Sequence, residues 1–146
     1  PTHMPDAFEA GTLNLPGIIG LNEGLSYIES VGMKNIHNHE LTLTKTFLEG
    51  LRSITGINII GKQDIQDRTA VVSITIDGMD PASIAYELES TYHIMTRVGL
   101  HCAPRAHQTL GTYPEGTVRF SFGYTNTHEN VEVTLSALNR IVKNTN

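Results

Sequence analysis

The period of the apolar positions changes along the chain, and each change predicts an element. Residues 1–16 are rich in Pro and Gly and show no period, which reads as an extended leader. Pro16 then suits a helix start, and Ile18, Ile19, Leu21, Leu25 and Ile28 recur at helical spacing up to Gly32, a natural stop. A second helix is predicted over 35–54, with Ile36, Leu43, Phe47, Leu48 and Leu51 as its apolar stripe and Gly56 beyond its end. The texture then turns β-branched: 57–60 and 70–76 read as strands joined by a charged, hairpin-like link at 62–68. Asp80-Pro81 opens a helix carrying Ile84, Leu88 and Tyr92, with Asp80 as N-cap. Strands are predicted at 94–98 and 118–122. Thr127 caps a last helix whose stripe is Val131, Leu135, Leu138 and Val142. Strands and helices interleave without a βαβ repeat. The predicted class is therefore α/β (α+β), a small mixed or antiparallel sheet with helices against one face. The segment 99–116 fits no element; it is long, has little period, and holds His101, Cys102, Arg105 and His107.

Composition narrows the function classes. The 146 residues have room for one domain, or one plus a short leader, and 39% of them are hydrophobic, enough for a core. Fifteen acidic against ten basic residues give a net charge of −5. That argues against nucleic acid or an anionic membrane as partner, since both call for a basic surface. The single cysteine, Cys102, excludes an internal disulfide and a zinc site of two or four thiolates. No run approaches a membrane span, and residues 1–6 lack the basic start and apolar core of a signal peptide. The chain reads as soluble and cytoplasmic.

Several candidate motifs compete with plainer readings. Gly56-x-x-x-x-Gly61-Lys62 imitates a phosphate-binding loop, but its intervening residues read as a strand and Gln63 stands where Ser or Thr is required. His37 and His39, two apart on a helix, face different ways and read as exposed histidines rather than metal ligands. Cys102 supports three readings. It is a nucleophile in a loop flanked by Gly and Pro beside His101, Arg97 and Arg105, a buried small hydrophobe, or, with His101 and His107, an incomplete zinc site. Arg119, inside an apolar strand, is either solvated on an edge strand or a fork for a carboxylate or phosphate. Gly11-Thr12 offers a backbone N–H and a hydroxyl to an anion, or simply makes a turn.

Three segments carry a resemblance. Phe8-Glu9-Ala10-Gly11-Thr12-Leu13-Asn14-Leu15-Pro16-Gly17-Ile18 resembles a stretch of the class V aminotransferase-like enzymes that use pyridoxal phosphate. Arg97-Val98-Gly99-Leu100-His101-Cys102-Ala103-Pro104 resembles the active-site loop of the cysteine desulfurases, in the group that includes selenocysteine lyases. Val118-Arg119-Phe120-Ser121-Phe122-Gly123-Tyr124-Thr125-Asn126-Thr127-His128-Glu129 resembles the strand and helix start that follow in that family. The resemblance implies that Cys102 attacks the sulfur of a cofactor-bound cysteine, leaving alanine and a persulfide on the enzyme. It implies that Arg119 grips the substrate carboxylate, with Arg97 and His101 in supporting, substrate-binding roles. Gly11 and Thr12 would reach the cofactor phosphate of the partner subunit in a homodimer. L-cysteine or a related amino acid is the implied substrate, and a sulfur-acceptor protein an implied partner.

The resemblance also exposes a gap. Family members hold pyridoxal phosphate on a lysine that follows a histidine, and none of Lys34, Lys45, Lys62 or Lys143 has that context. The chain is therefore expected to be the C-terminal lobe of a fold-type I pyridoxal enzyme. Residues 1–34 would be the tail of the large domain with a linking helix, residues 35–146 the small domain, and the piece alone inactive. Two other readings stand beside it: part of an aminotransferase or other lyase of the class, in which Cys102 is incidental, and a free-standing binding or dimerisation module.

Overall fold

The computed structural model of the protein describes residues 2–9 and 11–145, Thr145 by its backbone alone. The chain divides into two compact units, 1–36 and 37–146.

In the first unit a single 3-10 turn, Asp6–Phe8, interrupts the expected extended leader, of which Pro1 and Ala10 lie outside the described residues. Helix α1 (Leu15–Val31) starts where Asn14 Oδ1 accepts a hydrogen bond from Gly17 N at 3.1 Å, with Pro16 in the first turn. It stops at Gly32, whose φ of 86° is open to glycine and costly to other residues. No residue of α1 is buried, and its apolar stripe of Ile18, Ile19, Leu21 and Leu25 stays between 50% and 65% exposed.

Helix α2 (Met33–Arg52) begins two residues before the expected start and ends short of Ile54. Ser53 N and Ile54 N donate to Gly50 O and Leu51 O instead, so the last turn tightens and still buries Ile54. In the second unit α2 buries Leu43, Phe47, Leu48 and Leu51. Four strands follow, β1 (Ile57–Ile60), β2 (Val71–Ile76), β3 (Arg97–Gly99) and β4 (Thr117–Ser121), in the order β1-β2-β4-β3, with every pairing antiparallel. The Gly56–Lys62 string is thus a strand, as its β-branched centre predicts. Helix α3 (Pro81–Tyr92) is capped by Asp80, whose Oδ2 accepts from Ser83 N at 2.9 Å. Helix α5 (His128–Thr145) has a reciprocal cap in which Thr127 Oγ1 accepts from Asn130 N and Asn130 Oδ1 accepts from Thr127 N.

One face of the sheet carries the core. Val72, Ile74, Ile76, Val118 and Phe120 alternate inward and meet α2, α3 (Ile84, Leu88) and α5 (Val131, Leu138, Ile141). Each such fully buried side chain contributes roughly 1.5–3 kcal/mol relative to exposure. The fold is the expected α/β class, with its three long core helices on one face. The other face presents Ser73, Thr75, Thr117 and Arg119, and it is the one that matters for chemistry. Strand β3 is shorter than predicted because Ile94 N bonds back to Leu88 O, closing the C-terminus of α3 after His93 at φ 56°. Within 99–116 lies a helix that the period does not reveal, α4 (Pro104–Leu110).

Candidate active site

Cys102 sits at the tip of a tight turn. Ala103 N donates to Leu100 O at 2.8 Å, and the two central residues, His101 and Cys102, have φ of 50° and 59°. Side chains rarely adopt that region, because Cβ crowds the following carbonyl, and each such residue costs roughly 1–2 kcal/mol. Strain of this kind is held by the surroundings and concentrates where a side chain has to be presented. The thiol is free and exposed, which rules out the buried-hydrophobe reading of Cys102.

The turn stands on two supports. Beneath it, His101 Nε2 is hydrogen-bonded to Thr117 Oγ1 at 3.2 Å, and Thr117 is fully buried at the start of β4. Burial lowers the His101 pKa, and the electrostatic influence of Arg119, His107 and Arg97 lowers it further against a raising backbone hydrogen bond with Thr117. Its Nδ1 is buried without a hydrogen-bond partner. Beside it, α4 starts on Pro104 and ends on Gly111, whose φ of 72° marks a left-handed cap. α4 buries His107, whose Nδ1 lies 2.7 Å from Thr112 Oγ1 and whose ring is 5.7 Å from that of His101.

The arginines come from paired strands. β4 is an interior strand, so the edge-strand reading of Arg119 falls. Arg119 is flanked by Ser73 on β2 and by Arg97 on β3 as direct Cα partners. Like charges in facing positions repel, and neither arginine has a carboxylate partner among the described residues. Arg119 Nε is moreover buried and unpartnered. An acidic chain has thus gathered an uncompensated pair of facing arginines, both acting on the histidine that precedes its one cysteine, an arrangement suited to a carboxylate ligand.

His101 is thus close enough to feel both Arg97 and Arg119, and Cys102 follows it directly along the turn. Gly11 and Thr12, both exposed, belong to the 1–36 unit, and a Cβ on Gly11 would meet nothing within 4 Å. Among the described residues no group of three His, Cys, Asp or Glu side chains could hold a metal ion. His39 departs from expectation: it is half-buried, with Nε2 2.8 Å from Asn126 O and its ring edge-on to Tyr124. Thr112 and Thr117 escape a reading of the sequence, because nothing local marks a threonine that anchors a histidine.

The model of the family described as aminotransferase class-V matches residues 2–134. The chain belongs to that family. Among its relatives, a probable cysteine desulfurase of Methanothermobacter thermautotrophicus is 37% identical over 139 residues, covering 94% of this chain and 34% of the relative. One from Pyrococcus abyssi is 38% identical over 142 residues, covering 97% and 34%. An apo cysteine desulfurase structure from Thermococcus onnurineus NA1 superposes with a TM-score of 0.88 at 38% identity, over 96% of this chain and 34% of that one. An S-sulfonic acid form of an Escherichia coli cysteine desulfurase gives 0.82 at 26%, over 95% and 33%. This member of the class-V family spans about a third of the length of these two relatives.

Proposed function

We propose that this chain is the C-terminal part of a cysteine desulfurase, with residues 1–34 as the tail of a large domain and its linking helix, and 35–146 as the small domain. The observation that carries the reading is Cys102: a free, exposed thiol on a strained turn, directly after a histidine on which two unpaired arginines act. L-cysteine would give its sulfur to Cys102 Sγ as a persulfide and leave as alanine. Arg119 would hold the substrate carboxylate from the sheet face, with Arg97 opposite and His101 below as supports. An exposed single thiol suits a reducing, cytoplasmic setting, and no described helix is long and apolar enough to cross a membrane.

Breaking the Cβ–S bond of cysteine calls for the electron sink of pyridoxal phosphate. The residues here do not make a complete site for it. Lys45 Nζ faces Glu49, Lys62 Nζ donates to the carbonyls of Gln66 and Asp67, and Lys34 and Lys143 lie exposed on α2 and α5. No lysine occurs between Arg97 and Arg119. The Schiff-base lysine would have to come from residues outside this chain, which alone is then inactive. Gly11 and Thr12 are proposed to serve the cofactor phosphate across a homodimer, and an acceptor protein to draw sulfur from Cys102. The test is product analysis of the full-length protein, loaded with pyridoxal phosphate and given L-cysteine. Alanine formed one-for-one with released sulfur is expected. A keto acid product, or turnover confined to other amino acids, would make the protein an aminotransferase or another lyase.

A further inference from the structure

We infer that His107 is a positioning residue for Cys102, acting through a clasp with Thr112 that fixes the base of the nucleophile's turn; the inference rests on the desulfurase reading of Cys102. His107 is only 6% exposed and Thr112 9%, and burying an imidazole and a hydroxyl is costly unless they satisfy each other. They do so twice. His107 Nδ1 lies 2.7 Å from Thr112 Oγ1, and Thr112 N donates to His107 O at 2.9 Å.

From there the connection runs in two directions to the turn. Thr112 O accepts from Gly116 N at 2.7 Å, and the Gly116 backbone lies so close to Gly99 that a Cβ there would fall 2.3 Å from the Gly99 carbonyl. Gly99 ends the strand that leads directly into Leu100–Ala103. On the other side His107 N donates to Ala103 O at 3.2 Å, and the His107 ring packs against His101. The His107 side chain contributes the Thr112 hydrogen bond on one side and the His101 ring contact on the other, bracing with the backbone bonds a turn whose two central residues would relax from their left-handed conformation if released. His107 reaches Cys102 through the backbone, so its role is the placement of Sγ rather than proton transfer.

The experiment uses the full-length, cofactor-loaded enzyme with four variants. His107→Leu and Thr112→Val remove the clasp, whereas His107→Asn and Thr112→Ser each keep a hydrogen-bonding group in place. Misplacing a reacting atom by about 1 Å costs on the order of 100-fold in rate, so kcat should fall by about that factor in the first two. KM for L-cysteine and the rate of Cys102 alkylation by iodoacetamide should stay within about threefold, because binding and thiol chemistry are untouched. The conservative variants should recover most of the rate. The proposal is overturned if the Leu and Val variants keep wild-type kcat, if KM rises in place of a fall in kcat, or if alkylation slows in parallel. Should His107→Leu not fold, the Thr112 pair alone decides. If the wild-type enzyme forms no persulfide on Cys102, it is the desulfurase reading that fails, a result separate from any of these.

Discussion

His101 and Cys102 occupy adjacent left-handed positions, and the neighbouring histidine is best understood as the foot of the nucleophile. Its Nε2 is engaged with Thr117 and its Nδ1 is buried, so neither nitrogen is free to serve the exposed thiol. Its lowered pKa gives a testable sign. The folded protein binds the His101 proton less readily than the unfolded chain, where the ordinary value is about 6.5. The contribution of neutral His101 is therefore fully present above about pH 6.5 and declines as the pH falls below it. Urea midpoints measured at about pH 7.5 and pH 5.5 should drop on acidification, and His101→Asn should flatten that drop. A second expectation concerns the guanidinium fork. Arg119→Lys keeps the charge and loses the bidentate geometry, and hydrogen bonds to charged groups contribute roughly 1.5–3 kcal/mol. Steady-state kinetics of the full-length enzyme should show kcat/KM for L-cysteine lowered about 10- to 100-fold. Unchanged kinetics would remove Arg119 from the substrate site.

Elements whose signals are local were legible in the sequence, and those defined by partners were not. Asp80 with Pro81, Thr127, and Gly32 at a helix end declare themselves within a few residues, and the structure places a cap or stop at each. The strand predicted at 94–98 is displaced because pairing with β4 selects Arg97–Gly99 and leaves Ile94 to close α3. α4 carried a signal in Pro104 and Gly111, but seven residues are too few to establish a helical period. The half-buried state of His39 depends on Asn126, 87 residues away, which no local pattern encodes. A tertiary contact of the same kind governs Gly50, where α2 meets α5. An added Cβ would lie 2.2 Å from Leu135 Cδ1 and 3.0 Å from its Cγ, so the whole side chain has to move. Alanine gains about 1 kcal/mol in helix propensity, yet overpacking costs typically 1–3 kcal/mol and prevails. Gly50→Ala should lower the urea midpoint, and in a Leu135→Ala background the same change should raise it. The same sign in both backgrounds would refute the packing argument.

At the scale of the molecule, strand alternation and caps conveyed the class of fold, whereas the association of Arg119 with Arg97 and Cys102 came from the resemblance alone, and the structure adds the direct pairing of Arg119 with Arg97. The supports of that group, Thr112, Thr117 and the buried face of His107, became visible only once the backbone was closed. α1 offers Ile18, Ile19, Leu21 and Leu25 at half exposure or more, an apolar stripe of the size that proteins ordinarily cover. A chain spanning about a third of the Methanothermobacter relative, with an exposed thiol and no lysine between Arg97 and Arg119, accords with a nucleophile-bearing lobe. The most direct test of that claim is the intact mass of the full-length protein, loaded with pyridoxal phosphate, after brief exposure to L-cysteine. The account predicts a gain of one sulfur atom that reductant removes and that Cys102→Ser abolishes. Turnover of an amino acid with no sulfur gained on Cys102 would contradict it.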